Sequence, residues 1–309
     1  MTSQLKSKLS YSIQLLQNAV GLAKLYDPID GFYLGFSGGK DSQALYHVAK
    51  MAGVPFKGHM SLTSVDPPAV IRFVKNNYPD VELIAPKESI YKVAMRKQIL
   101  PTALARWCCD EYKEHAGAGK VTLTGIRKEE SIKRSKRKEY EITRHKFSGT
   151  AEEFEKWQME QRMKDDRWSI DTESQIRCIR GKDSIIINPI IEWTERDVWE
   201  FLNEVAKVPH CELYDTGHKR IGCIFCPMAN QKQFRRDEKE YPHQRHKWIE
   251  TIKKMRQNGY LHNIDPYVDM SKYSEDEQAE ILFDWWKSKQ NIKEYVIDNF
   301  RQQKIEFDI

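Results

Sequence analysis

Three observations on this 309-residue chain predict an α/β fold, a parallel sheet sandwiched by helices. Short apolar runs alternate with amphipathic stretches of about 10–15 residues, the pattern of strands joined by crossover helices. A loop rich in serine and glycine, Ser37-Gly38-Gly39-Lys40-Asp41-Ser42, separates the first such run from the helix after it. The composition is that of an ordinary globular protein, with 40% hydrophobic and 31% charged residues, 15 Gly and 12 Pro, which excludes collagen-like, low-complexity and disulfide-scaffold classes.

The elements follow in order. Residues 3–25 read as one amphipathic helix, with Leu5, Leu9, Ile13, Leu16 and Val20 at three- and four-residue steps. Strands are expected at 31–36, 56–63, 81–85, 121–126 and 184–190. Helices are expected at 41–51, at 67–77 behind prolines in its first turn, at 89–98, and at 194–206 with Thr194 as N-cap and Asp197 supporting it. The stretch 128–182 is highly charged and weakly periodic apart from a helix at 151–163, and reads as an insertion or a mobile lid. Beyond Pro227 the chain turns helical, with Trp285 and Trp286 buried against the main domain. The expected organisation is an N-terminal helix (1–26), an α/β domain (27–227) with a charged insertion at about 128–182, and a helical C-terminal region (228–309).

Mean hydropathy is −0.70, and no apolar run approaches the roughly 18 residues of a membrane span. The N-terminus has no signal-peptide h-region or A-x-A site, so a cytoplasmic setting is expected, where cysteines stay thiols or metal ligands. The 50 Lys+Arg and 45 Asp+Glu leave +5, which says little until it is located. Residues 127–146 hold nine basic against four acidic side chains, and residues 219–257 eleven against four. Residues 258–309 hold six against eleven. Two basic stretches on a chain otherwise acidic suit a polyanion, or else form solvated helix faces.

The glycine loop carries the sharpest chemistry. A loop that leaves the carboxyl end of a strand and opens a helix presents backbone N–H groups and the positive end of the helix dipole, where phosphate binds. Gly38 and Gly39 permit close backbone approach, Ser37 and Ser42 add hydroxyls, and Lys40 adds charge. This is neither a Walker A loop, because Asp41 follows the lysine and only three residues separate Gly35 from Gly39, nor G-x-G-x-x-G.

SGGKDS resembles the PP-loop of the ATP-pyrophosphatase (adenine-nucleotide α-hydrolase) superfamily, whose Rossmann-like domain binds the pyrophosphate of ATP or the phosphosulfate of an adenylyl sulfate. Later segments are similar to its PAPS-reductase-like branch: Gly125-Ile126-Arg127 with Ser131 and Arg134; Asn188-Pro189-Ile190-Ile191-Glu192-Trp193-Thr194 with Asp197-Val198-Trp199; and Leu213-Tyr214-Asp215 with Gly217, then Gly222-Cys223-x-x-Cys226. The resemblance covers roughly 31–227, about two thirds of the chain. It implies phosphate or sulfate contacts from Ser37, Gly38, Gly39, Lys40, Asp41, Ser42, Arg127, Ser131 and Arg134. Of these, Ser37, Lys40, Asp41 and Arg127 are the candidate catalytic residues, with Asp41 or a carboxylate of the insertion helping to hold Mg²⁺. Trp193 and Trp199 read as core.

The six cysteines are Cys108, Cys109, Cys178, Cys211, Cys223 and Cys226. A lone C-x-x-C is compatible with redox, zinc or iron–sulfur chemistry. Cys108-Cys109 with Lys113, followed 114 residues after Cys109 by Cys223-x-x-Cys226, resembles the arrangement that binds a [4Fe–4S] cluster in adenylyl-sulfate reductases. Lys113, Lys219 and Arg220 are then expected to offset its negative charge. Cys211 is a rival fourth ligand and Cys178 a free thiol; zinc or plain buried thiols are the alternative.

One departure matters. Assimilatory sulfonucleotide reductases carry a catalytic cysteine near the C-terminus, and here no cysteine follows Cys226. Relatives without that tail include sulfurtransferases that act on nucleic acid, and the basic stretches and Trp248 suit a nucleic-acid surface. Three functions are therefore weighed. The first is an ATP pyrophosphatase with a cluster, moving sulfur from a donor to nucleic acid. The second is a sulfonucleotide reductase served by Cys178, Cys211 or a thioredoxin-like reductant. The third is a non-catalytic nucleotide- or cluster-binding subunit.

Overall fold

The computed structural model describes residues 1–164 and 183–301. Cys178 lies outside the described residues. In chain order the elements are α1 (Ser3–Asn18), α2 (Val20–Tyr26), β1 (Phe32–Gly35), α3 (Lys40–Ala52), β2 (Phe56–Ser61), α4 (Pro68–Asn77), β3 (Glu82–Ile84), α5 (Ile90–Lys97), α6 (Trp107–Cys109) and β4 (Val121–Leu123). Then come α7 (Ile132–Ser135), β5 (Tyr140–Ile142), β6 (Phe147–Gly149), α8 (Ala151–Lys164), β7 (Ile185–Ile187), α9 (Glu195–Glu200), α10 (Gln231–Glu240), α11 (Pro242–Gln257), α12 (Glu275–Ser288) and α13 (Ile292–Val296).

The chain divides into two compact units, each discontinuous in sequence. One comprises 1–61, 68–84 and 114–221; the other comprises 62–67, 85–113 and 222–309.

The first unit holds a seven-stranded sheet of order β3-β2-β1-β4-β7-β5-β6. The first five strands are parallel, as the alternation of elements requires. Phe32, Leu34, Val121, Leu123, Ile185 and Ile187 are fully buried, because a sheet covered on both faces needs apolar residues throughout. β5 and β6 form an antiparallel hairpin that adds to β7. The sheet is thus mostly parallel, as expected, with an antiparallel hairpin at one edge, and residues 140–149 of the charged stretch belong to it. Their three-residue strands are too short for a period to emerge. The helix expected at 151–163 is α8.

Two expected helices are divided. The 3–25 helix is α1 and α2, meeting at Ala19. The 194–206 helix is α9 followed by a π-turn at Phe201–Ala206. Thr194 does cap α9, in a reciprocal capping box with Asp197. α1 is bound to this unit by Lys8–Asp197 at 2.6 Å and by Ser12, which accepts from the Trp193 indole at 3.1 Å.

The second unit is helical. Its core gathers Ile90, Leu100, Trp248, Ile252, Phe283 and Trp286 from α5, α11, α12 and the segment after α5. Trp286 donates to the Pro101 carbonyl at 2.6 Å, so this tryptophan completes the second unit's own core, not that of the sheet unit as expected. Among the described residues no helix is long and apolar enough to cross a membrane.

Candidate functional site

The glycine loop sits at the carboxyl end of β1 in the sheet unit, the edge where open α/β sheets bind ligands. Gly38 has φ +72°, and a Cβ there would lie 2.9 Å from methyls of Val70 and Val74, so both conformation and space demand glycine. Ser42 Oγ donates to the Gly39 carbonyl at 2.8 Å and accepts from the Ser37 N–H at 3.2 Å, which closes the loop on itself. Gly39 is the N-cap of α3 and supplies no side chain to satisfy the helix's first N–H groups. Tyr214 takes up one of them, accepting from the Lys40 N–H at 2.8 Å. Burial pushes the Tyr214 phenol up, so the hydroxyl stays protonated. Trp199 packs edge-on against the same ring at 5.0 Å.

Asp41, Lys40 and Arg127 meet beside this loop. Arg127 Nε donates to Asp41 at 2.6 Å, and its Nη1 donates to Glu129 at 2.9 Å and to the Trp193 carbonyl at 3.4 Å. Gly125 lets the strand β4 exit approach this closely, since a Cβ there would be 2.8 Å from the Asp41 carbonyl. Lys40 Nζ lies 3.6 Å from Asp41 and 3.5 Å from Glu195. Both cations are 3% exposed. Two buried cations therefore face three carboxylates, Asp41, Glu129 and Glu195.

The structure brings Arg127, which the sequence singles out, beside the loop together with Glu129, Glu195 and Tyr214, which sequence reasoning does not assign to the site. Tyr214 was visible in the Leu-Tyr-Asp-x-Gly segment; nothing in the sequence marks the two glutamates. Ser131 caps α7, accepting from the Arg134 N–H at 3.2 Å, and Arg134 pairs with Glu130, which also accepts from the Arg127 N–H. Lys219 and Arg220 are engaged within the sheet unit: the Lys219 carbonyl accepts from Lys40 Nζ at 3.4 Å, and Arg220 lies 3.7 Å from Glu130.

Cys108, Cys109, Cys223 and Cys226 all belong to the second unit. Between Cys223 and Cys226, Ile224 and Phe225 are both 2% exposed and anchor the turn in the core. Ile224 donates to the Val65 carbonyl at 2.8 Å, and Phe225 takes φ +55° and donates to Asp237 at 2.8 Å. With those two side chains turned inward, the cysteines stay half-buried. Cys223 Sγ accepts from Lys113 Nζ at 3.4 Å and from Thr63 Oγ1 at 3.5 Å. The Cys108 thiol donates to Cys109, and with Arg106 and Lys113 nearby this brings the Cys109 pKa down to about 5. The same bond raises Cys108, whose thiol also feels the charges of Cys226 and Cys223. Burial and then the charge of Cys223 push Cys226 up. None of these four is in a disulfide.

Among the described residues no three His, Cys, Asp or Glu side chains close on a single metal ion. Four thiols that sense one another, with a lysine donating to one of them, are the donor chemistry of a zinc or iron–sulfur centre. Cys211, the rival ligand, belongs to the sheet unit, is fully buried, and has its thiol pushed up by burial.

One further expectation is corrected. Trp248 is 1% exposed, packed against Tyr91 and Trp286, and offers no ring for a nucleic-acid base.

The chain is 29% identical over 230 residues to the uncharacterised protein MJ0973 of Methanocaldococcus jannaschii, a match covering 71% of this chain and 47% of that one. The chain thus spans about half the length of the curated relatives it first matches. Solved structures with a similar course include phosphoadenylyl-sulfate reductase from Candida auris in complex with phosphate, at 18% identity and TM-score 0.39, covering 72% of this chain and 96% of that one. They also include the U34-tRNA thiolase NcsA from Methanococcus maripaludis with its [4Fe-4S] cluster, at 12% identity and TM-score 0.36, covering 90% and 80%. Residues 32–229, more than half of the chain, match the model of the phosphoadenosine phosphosulfate reductase domain, a family of adenine-nucleotide-binding enzymes. The chain belongs to that family.

Proposed function

We propose that the chain cleaves ATP, as its Mg²⁺ complex, to AMP and pyrophosphate, and couples this to sulfur transfer onto nucleic acid in the cytoplasm. The observation that carries the reading is the charge balance at the loop. Two cations against three carboxylates make a poor receptor for a bare anion. A phosphate that arrives with a divalent cation finds a partner for the carboxylates as well as for Lys40 and Arg127.

In this reading the backbone N–H groups around Gly38 and Gly39 and the start of α3 hold the phosphates, with hydroxyls from Ser37 and Ser42. Lys40 and Arg127 stabilise charge on the leaving pyrophosphate as the acceptor oxygen bonds to the α-phosphorus. Asp41 orients Arg127 and helps hold Mg²⁺, while Ser131 and Arg134 extend the phosphate contacts. Cys108, Cys109, Cys223 and Cys226 hold a [4Fe–4S] cluster, whose role when bound is to carry sulfur or electrons from a sulfur donor. Lys113, which donates to Cys223 Sγ, offsets the negative charge of the four thiolates.

A second reading is favoured by the family match itself: a sulfonucleotide reductase that takes an adenylyl sulfate and a thioredoxin-like reductant. One anaerobic assay separates the two. Formation of AMP and pyrophosphate from Mg·ATP, stimulated by nucleic acid, supports the first. Sulfite release from an adenylyl sulfate with thioredoxin, and no cleavage of ATP, replaces it with the second.

A further inference from the structure

We infer that the cationic run 131–138, carried by α7 and the turn after it, is the surface on which a nucleic-acid backbone docks. The inference rests on the proposed sulfur transfer for its purpose, and on the following observations for its place.

The run reads Ser-Ile-Lys-Arg-Ser-Lys-Arg-Lys: five basic residues and no acidic one in eight. Two of its charges are spent internally, since Arg134 pairs with Glu130 and Arg137 with Glu141. Lys133, Lys136 and Lys138 are exposed and make no ion pair among the described residues. Ile132 beside them is 84% exposed, an apolar side chain in the middle of a charged surface. Three exposed lysines around one apolar contact suit a sugar–phosphate chain, which presents repeated negative charge and apolar sugar faces.

The run is also in the right place. It leaves β4 at the same sheet edge as the glycine loop. A continuous set of contacts leads from Asp41 to Arg127 and from the Arg127 N–H to Glu130, which pairs with Arg134. A strand lying on the three lysines would therefore run beside the phosphate loop, where an acceptor must come to be activated.

The second basic stretch is different. Arg245 is 2.5 Å from Glu280, Lys253 is 2.7 Å from Asp276 and Arg256 is 3.0 Å from Asp265. The basic residues of α10 alternate with Asp237, Glu238 and Glu240. Much of that charge serves the fold of the helical unit.

The test uses the full chain carrying Lys133→Glu, Lys136→Glu and Lys138→Glu. Fluorescence anisotropy is read with labelled single-stranded RNA, single-stranded DNA and duplex DNA of one sequence, across a salt series, with polyglutamate as an acidic competitor. The expected result is wild-type binding that polyglutamate displaces poorly. In the variant, affinity falls about tenfold or more at low salt, and the duplex salt dependence flattens by up to about 0.9 per lysine. KM for ATP stays unchanged. Comparing the three probes tells which nucleic acid is preferred. The inference is overturned by absent wild-type binding, by equal affinity and slope in the variant, by polyglutamate competing as well as the oligonucleotides, or by a raised KM for ATP with oligonucleotide binding intact. Binding needs no turnover. Failure of the wild type to cleave ATP therefore sinks the proposed activity and leaves this surface to be judged by its own measurement.

Discussion

In the sheet unit, the cations at the glycine loop are already matched: Lys40 and Arg127 are held by Asp41, Glu129 and Glu195, two of them glutamates whose side chains are half exposed. In the helical unit, the four cysteines are met by neutral or cationic donors, Lys113 and Thr63 at Cys223, Arg106 and the Cys108 thiol at Cys109, and the Met228 backbone at Cys226. The contrast matches two kinds of occupant. A site for a ligand that comes and goes is kept neutral by groups that can be exchanged, because an uncompensated buried charge is costly. A site for a resident group can leave its thiols incompletely satisfied, because the group completes them.

The largest effect is expected at the cysteine centre. Cys226→Ser should abolish the cluster chromophore and most of the bound iron, whereas Cys211→Ser, in the other unit, should retain both; absorption and iron content of the two variants check this. Loss of iron from Cys211→Ser with retention in Cys226→Ser would reverse the ligand assignment. Next comes the loop: Lys40→Ala should lower kcat/KM for ATP by about a hundredfold or more, the usual loss when one charge-stabilising donor is removed, with iron content untouched. If iron is lost as well, the two sites are not separable as described.

Glu195→Gln carries a smaller effect of opposite sign. Freed from its carboxylate, Lys40 should bind metal-free ATP more tightly, by up to about fivefold given the strength of a half-exposed ion pair, while the advantage of Mg·ATP over ATP shrinks. Calorimetric titration with ATP, with and without Mg²⁺, reads this, and weaker binding of metal-free ATP would make Glu195 a contact to the nucleotide itself. The smallest effect concerns the sheet unit alone. Burial, and next the Lys50 charge, lower the His47 pKa to about 4 from the ordinary 6.5. As pH falls through 6.5, the unfolded chain takes a proton that the folded one refuses until about 4. Stability is therefore lost across that window as pH falls, and His47→Gln should flatten the decline of melting temperature between those two values. An unchanged slope would show that His47 is not buried as a neutral ring.

The two sites were legible to different degrees. The glycine loop could be read from adjacent letters because its shape depends on backbone, and backbone freedom is written locally in Gly38 and Gly39. The cysteine pairs could be read because sulfur is rare and its spacing is informative even across long gaps. Glu129 and Glu195 could not, because a glutamate in the first turn of a helix is commonplace and only folding brings Glu195 to Lys40 and its backbone N–H to Glu129. The β5–β6 hairpin was hidden in three-residue strands with no period to detect. Trp248 misled in the other direction. Its basic neighbours suggested a stacking surface, yet Trp248, Ile252 and Met255 recur at helical spacing and all three are buried. That period was the better guide.

The most direct test of this account is the iron and acid-labile sulfide content of the anaerobically purified wild-type chain. The account predicts brown protein with about four of each per chain. Colourless protein carrying one zinc, or no metal, would contradict it.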